Sequence, residues 1–297
     1  VYHANDLDTL EICGIAAARN RARLVYDSHE LWLQSSRYLI ATNPFNRVRL
    51  RRIERRYIRD ASAVIAVTPM RGEEMRRMYP DMGRLEIIEN APEPLEALPA
   101  RGTLRSLAGI GPEEPVALYQ GVICPERGLE ELIRAAALAV DTKLRFVVIG
   151  MDAWNGTLQQ MAEEAGLSER ITFLPPVPSE ELPGITVDAD MGFILFRNTC
   201  LNHYHSLPNK LYEYMMAGVP VIASGFPEMK RVITETGCGI TVDPETPEEI
   251  FLAAKNLAEN PGERERMSKA GRKAAMDTHN WTAQKKKLIS LYRELRP

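Results

Sequence analysis

Lys210 and Glu213 stand one helical turn apart in the stretch HSLPNKLYEYMMAGVPVIAS (205–224), a spacing that sets both on one helix face. Pro208 suits the first turn, where its missing N–H is not needed, and Ser206 is a candidate cap. Gly218 is a natural stop before the apolar run VPVIAS. Free N–H groups around Asn209 and Lys210, the positive end of the helix dipole and the lysine charge together favour an anion. Glu213, one turn deeper, suits a ribose diol, because a carboxylate accepts from two hydroxyls. The plain alternative is a solvated helix face with no ligand. A second stretch, YQGVICPERGLEELI (119–133), has the same design. Gly121 permits close backbone approach, and Arg127 stands at the mouth of the next helix. Two helix N-termini, one with an arginine and one with a lysine, are suited to converge on one diphosphate. Read plainly, Arg127 is a solvated loop residue. GxGxxG and GxxxxGK[ST] are both absent, which disfavours a dinucleotide oxidoreductase and an ATPase-type phosphate loop.

The elements that must position these residues follow from pattern. Nine short apolar runs, from RLVYDSH (23–29) to GITVD (239–243), alternate with segments of 3.6-residue period. That alternation predicts an α/β fold with parallel sheets covered on both faces, organised as two Rossmann-like domains. A proline-rich stretch without periodicity (90–103) reads as the linker. The expected division is a partial first domain (1–97), a complete second domain (98–280) and a C-terminal helix (281–297). About three strands precede the linker, and the chain opens on VYHAND without a methionine. We therefore expect residues to be missing before Val1.

Composition narrows the function classes. A net charge of −3 on 297 residues gives no global reason to expect a nucleic-acid partner. Four scattered cysteines without a CxxC pair argue against a zinc knuckle or disulfide framework and fit a reducing compartment. Cys124 has no neighbour that would activate a thiolate. No signal peptide or spanning segment is visible. The stretch 47–60 carries seven arginines around an apolar stripe of Leu50, Ile53 and Tyr57, with Glu54 and Asp60 cancelling part of the charge. It is a candidate for docking on anionic lipid, and equally for a solvated face. DAD (188–190) reads as a loop before the strand MGFILF rather than a metal pair.

Taken in order, these pieces resemble the retaining family-4 glycosyltransferases of the GT-B fold, whose two Rossmann-like domains face each other across the active site. YDSHELW (26–32) and ASAVIAVT (61–68) resemble the acceptor-side domain. LYQGVICPERGLEELIRA (118–135) resembles the family's strand–loop–helix with a basic residue before glycine, and LPNKLYEYMMAGVPVIAS (207–224) its donor-binding helix. The resemblance runs nearly end to end. It implies that Arg127 and Lys210 hold the donor diphosphate, with Gly121 and Asn209 in the same donor site, and that Glu213 binds the ribose. His29 falls where the family places a histidine near donor sugar and acceptor; on its residues alone it also reads as a hydrogen-bonded structural histidine. Asp6 is a weaker candidate on the same edge. The backbone of FLPPVP (173–178) falls where the family cradles the base.

Three departures stand out. The family's first glutamate, eight residues before the second, is His205 here, so that His205 or Asn202 is the candidate to replace it. Val122 stands where an arginine commonly follows the glycine, and the glycine-rich loop after the first strand is absent. The resemblance implies transfer of a sugar, with retention, from a UDP- or GDP-linked donor to a glycan or lipid-linked acceptor, without metal or cofactor. It implies a role in cell-surface polysaccharide or glycolipid synthesis, in the cytoplasm or at the inner face of the membrane. Two other readings are a nucleotide-sugar-binding protein without transferase activity and a GT-B epimerase.

Overall fold

The structure, a computed structural model, describes residues 1–35 and 43–296. It divides into two compact units. The first comprises Val1–Asn90, Asn198–Leu207 and the segment from Trp281; the second comprises Ala91–Arg197 and Pro208–Asn280.

In the first unit four parallel strands lie in the order β1 (Tyr2–Asn5), β2 (Leu24–Ser28), β3 (Ala63–Ala66) and β4 (Arg84–Ile87). Side chains alternate across the sheet. Tyr26 and Val64 point to one face, against Leu7, Leu10, Ile53, Tyr57 and Met75. Val25, Ala63 and Ile65 point to the other, where Leu291, with Trp281 and Leu288 of the helix Trp281–Glu294, completes the packing. The helix Pro44–Asp60 starts on Asn43, whose side chain accepts the Asn46 N–H at 3.0 Å. Ile53, Tyr57 and Ile58 form its inward side. Glu54 is also inward, and this corrects the sequence expectation of a surface counter-charge. It accepts the Tyr26 hydroxyl at 2.9 Å and the Tyr79 hydroxyl. Burial pushes its carboxyl up, against the two hydrogen bonds. The arginines therefore keep only Asp60 as an exposed acid on their own helix.

The second unit holds six parallel strands: β5 (Val116–Gln120), β6 (Arg145–Ile149), β7 (Ile171–Leu174), β8 (Met191–Ile194), β9 (Val221–Ser224) and β10 (Gly239–Val242). Their spatial order is β7-β6-β5-β8-β9-β10. This is the doubly wound order of a Rossmann sheet, and it reverses direction between β5 and β8. The nine apolar runs of the sequence coincide with β2 to β10, and the opening residues form β1. Asp188 and Asp190 are structural. Asp190 accepts from the Arg105 guanidinium at 2.7 Å and the Val116 N–H at 2.8 Å, while fully buried Asp188 accepts the Arg105 N–H at 2.9 Å. Together they pin the helix Thr103–Ala108 beside the start of β5. Among the described residues, no group of three or more His, Cys, Asp or Glu side chains is placed to hold a metal ion.

Candidate functional site

The chain leaves β5 at Gly121, with φ +131°. A Cβ at this position would lie 3.1 Å from the Lys210 Nζ, so glycine supplies both the turn and the space. Lys210 sits in the first turn of the helix Asn209–Ala217, which ends on Gly218 at φ +69°. Pro208 is the N-cap residue and no side chain caps the helix, so the expected cap by Ser206 does not form. The Lys210 ammonium lies 4.2 Å above the Tyr119 ring and 6.0 Å from that of Phe196. The Arg127 guanidinium lies 4.2 Å over the same Phe196 ring. Tyr119 is fixed by its hydroxyl, which donates to the Val122 carbonyl at 2.8 Å. Two cations thus flank one aromatic pair, and among the described residues neither forms an ion pair with a carboxylate. Cation–π contact offsets part of the cost of holding them there. Burial first, and then Arg127, push the Lys210 ammonium down to about 7, with Glu213 opposing. A diphosphate would satisfy both charges at once.

Glu213 lies one turn further along, on the same face. Its Oε2 accepts from the Gln120 amide at 2.7 Å, and Gln120 in turn accepts from the Thr186 hydroxyl at 2.8 Å. One carboxylate oxygen is thereby fixed while the other is left for a ligand. Burial raises the Glu213 pKa, with the Gln120 bond and Lys210 opposing. The loop from Gly121 to Gly128 carries a left-handed Glu126 (φ +72°) and ends at Gly128 (φ +65°). A Cβ on Gly128 would stand 2.1 Å from the Leu195 carbonyl oxygen. Only glycine lets the helix Leu129–Ala137 start hard against the end of β8, and this contact sets Arg127 over Phe196. These residues therefore gather at the carboxyl ends of β5 and β8, the switch point where open α/β sheets bind ligands. A groove of about 320 Å³ opens beside them at the ends of β5 to β7, lined by Ile123, Gly150, Asp152, Phe173, Pro175 and Pro176. It includes part of FLPPVP. Asp152 holds its rim by accepting the Trp154 and Gly156 N–H groups at 2.7 and 2.6 Å.

Of the residues singled out from the sequence, Gly121, Arg127, Lys210 and Glu213 come together here. Asn209 is exposed in the first turn of the Lys210 helix. Tyr119, Phe196 and Gln120 were not anticipated; the first and last lie within a strand whose pattern reads simply as core.

His29 and His205 belong to the first unit. His29 follows β2, with its Nε2 3.4 Å from an Asp27 oxygen and its Nδ1 3.2 Å from the Asn90 amide nitrogen. The same Asp27 oxygen lies 3.2 Å from His3, whose other ring nitrogen meets the Tyr292 hydroxyl. The Asp27 hydrogen bond raises the His29 pKa against desolvation. Burial alone would raise the Asp27 carboxyl, but the bonds from His29 and His3 bring it below its ordinary value. Asp6, at φ +59°, accepts the His29 N–H at 2.9 Å, a positioning role. His205 is buried, and among the described residues its Nδ1 has no hydrogen-bond partner. Its segment is tied to that of His29. The Leu31 N–H donates to the Asn202 side chain at 2.9 Å, and buried Arg71 donates to the carbonyls of both His29 and Asn202. Arg71 carried no signal in the sequence, because its partners are distant backbone atoms.

Residues 101–274 match the family described as Glycosyl transferases group 1, and residues 1–91 match the Glycosyl transferase 4-like domain. A D-inositol 3-phosphate glycosyltransferase of Nocardia farcinica is 26% identical over 232 residues, 74% of this chain and 49% of that protein. The GDP-mannose-dependent alpha-(1-6)-phosphatidylinositol monomannoside mannosyltransferase of Mycolicibacterium smegmatis is 29% identical over 206 residues, 68% of this chain and 52% of that protein. The chain thus spans about half the length of these two curated relatives. Anabaena HepE, solved in complex with UDP, superposes with a TM-score of 0.81 at 17% identity, covering 98% of this chain and 78% of HepE. With its fold matched throughout and more than half its length in one family, the chain belongs to the group 1 glycosyl transferases and has the GT-B fold.

Proposed function

We propose that this chain transfers a sugar from a nucleoside diphosphate donor to an acceptor hydroxyl with retention of configuration, as a family-4 enzyme. The observation that carries the reading is the pair Lys210 and Arg127, held over Tyr119 and Phe196 at the β5/β8 switch point and, among the described residues, without carboxylate partners. In the reaction the bond from the anomeric carbon to the diphosphate breaks and a bond to the acceptor oxygen forms on the same face. The acceptor's proton departs with the diphosphate. Charge grows on the leaving diphosphate, where Lys210, Arg127 and the helix N-terminus at Asn209 stabilise it without a metal. Glu213 receives the ribose hydroxyls, and the groove at Phe173–Pro176 receives the base. His29 and His205 act at the sugar, in an acceptor-side first unit.

HepE was solved with UDP and the Mycolicibacterium relative depends on GDP-mannose, so UDP- and GDP-linked sugars are the donors to test. The acceptor is a glycan or lipid-linked hydroxyl of cell-surface polysaccharide or glycolipid synthesis, met on the cytoplasmic side. Among the described residues, no helix is long and apolar enough to cross a membrane. The test is thermal stabilisation by UDP and by GDP, beside Lys210→Ala and Glu213→Ala. A ligand at a hundred times its Kd adds about 2.7 kcal/mol. Stabilisation of the parent chain by neither nucleotide, or of both variants as strongly as the parent, refutes the site.

A further inference from the structure

The helix Pro44–Asp60 shows the solvent a face that the sequence pattern does not reveal. Its apolar stripe of Ile53 and Tyr57 is turned into the core. On the outside, Phe45, Val48, Arg49, Arg52 and Arg56 recur at helical spacing and line one groove of roughly 360 Å³ beside the helix Asp6–Arg19. Phe45 is 89% exposed and Val48 49%. On the neighbouring helix Ile12 is 73% exposed and Ile15 40%. Four large apolar side chains are thus bare on two adjoining helices, where single scattered ones would need no explanation. The exposed charges of the helix Pro44–Asp60 are almost all positive, and the neighbouring helix adds Glu11 at the groove and Asp8 one turn before Ile12. Arg49 pairs with Glu11 at 2.6 Å and Arg59 weakly with Asp60 at 3.7 Å. Among the described residues Arg51, Arg52, Arg55 and Arg56 have no carboxylate partner. Glu54, the other acid of this helix, is sealed inside by two tyrosines. In a chain of net charge −3, this face concentrates positive charge.

We infer that this face, the exposed side of helix Pro44–Asp60 together with Ile12 and Ile15, is a docking surface for an anionic bilayer. Phe45 and Val48 enter the boundary between headgroups and acyl chains, and the arginines meet the phosphates, the arrangement of an interfacial helix. For its purpose the inference rests on the lipid-linked branch of the acceptor reading above. None of the residues on this face belongs to the donor site.

The test is sedimentation of the full chain with vesicles of phosphatidylcholine alone and with vesicles in which phosphatidylglycerol replaces a third of that lipid. The chain is expected to pellet with the anionic vesicles only and to be released by high salt. Removing one arginine from such a surface weakens binding about five-fold, so R52A/R56A should weaken it more than ten-fold. Phe45→Ser should weaken it several-fold, and Arg134→Ala, an exposed arginine of the second unit, should leave it unchanged. A chain that stays in solution with anionic vesicles, or R52A/R56A that pellets like the parent, overturns the inference. Unchanged binding by Phe45→Ser overturns the apolar seating. Thermal stabilisation by UDP or GDP, measured on the same variants, should equal that of the parent. A chain that docks without answering either nucleotide would therefore fail the donor reading and not this one.

Discussion

Replacing Lys210 with methionine should make the free chain more stable while abolishing its response to nucleotide. The ammonium is held at about 7 against an ordinary 10.5, so the fold must either neutralise the lysine or pay to keep it charged. At about 1.4 kcal/mol for each pH unit, that difference sets an upper limit near 4 kcal/mol at neutral pH. Partial solvation and the lost contact with Tyr119 reduce it, and about 1–2 kcal/mol is the working figure. For a unit of this size that is a rise in Tm of about 3–6 °C. The sign carries a pH signature. A lysine whose folded pKa is depressed binds fewer protons folded than unfolded between pH 7 and 10.5. The parent chain therefore gains stability as pH rises through that window, and the advantage of Lys210→Met shrinks towards zero near its upper end. Differential scanning calorimetry at pH 7 and 9.5, with and without UDP or GDP, reads both effects. A variant no more stable at pH 7, a difference that ignores pH, or undiminished stabilisation by nucleotide would refute the reasoning.

Glu213→Gln should weaken binding of the nucleotide that stabilises the parent by about ten-fold or more in titration calorimetry, the cost of hydrogen bonds lost from a charged acceptor. Gly128→Ala should destabilise the chain by more than about 2 kcal/mol in urea unfolding, because its Cβ would strike the Leu195 carbonyl and its φ is left-handed. Asp27→Asn should lower the His29 pKa, which the aspartate holds up, in a carbon-detected NMR titration. The stability that the raised histidine contributes is present below its ordinary pKa and lost as pH rises through the folded value, so the variant should be the less stable mainly at acid pH. Stabilisation by UDP or GDP should survive excess EDTA, since the proposed anchors are side-chain cations and a helix end.

The second unit was legible because its logic is local. Gly121, Arg127, Lys210 and Glu213 all sit within a few residues of a strand end or helix start, where turn chemistry and helical spacing speak directly. What holds them is not local. The Tyr119 ring comes from β5 and the Phe196 ring from just beyond β8, strands adjacent in space only, and each reads as core in its own stretch. Glu54 misled for a related reason. A glutamate among arginines reads as their counter-ion, and only the packing of β2 shows that two tyrosine hydroxyls claim it. Arg71 was silent because it addresses carbonyls, which every residue has.

The packing of Leu291 against Val25 and Ile65 bears on how this chain is made. One face of the first sheet stays open until a helix some two hundred residues downstream has been synthesised. At typical rates of elongation that interval is about 10–40 s. During it a parallel sheet shows an apolar face to the cell, and this, more than any weakness of the finished fold, is where a chaperone would find the protein.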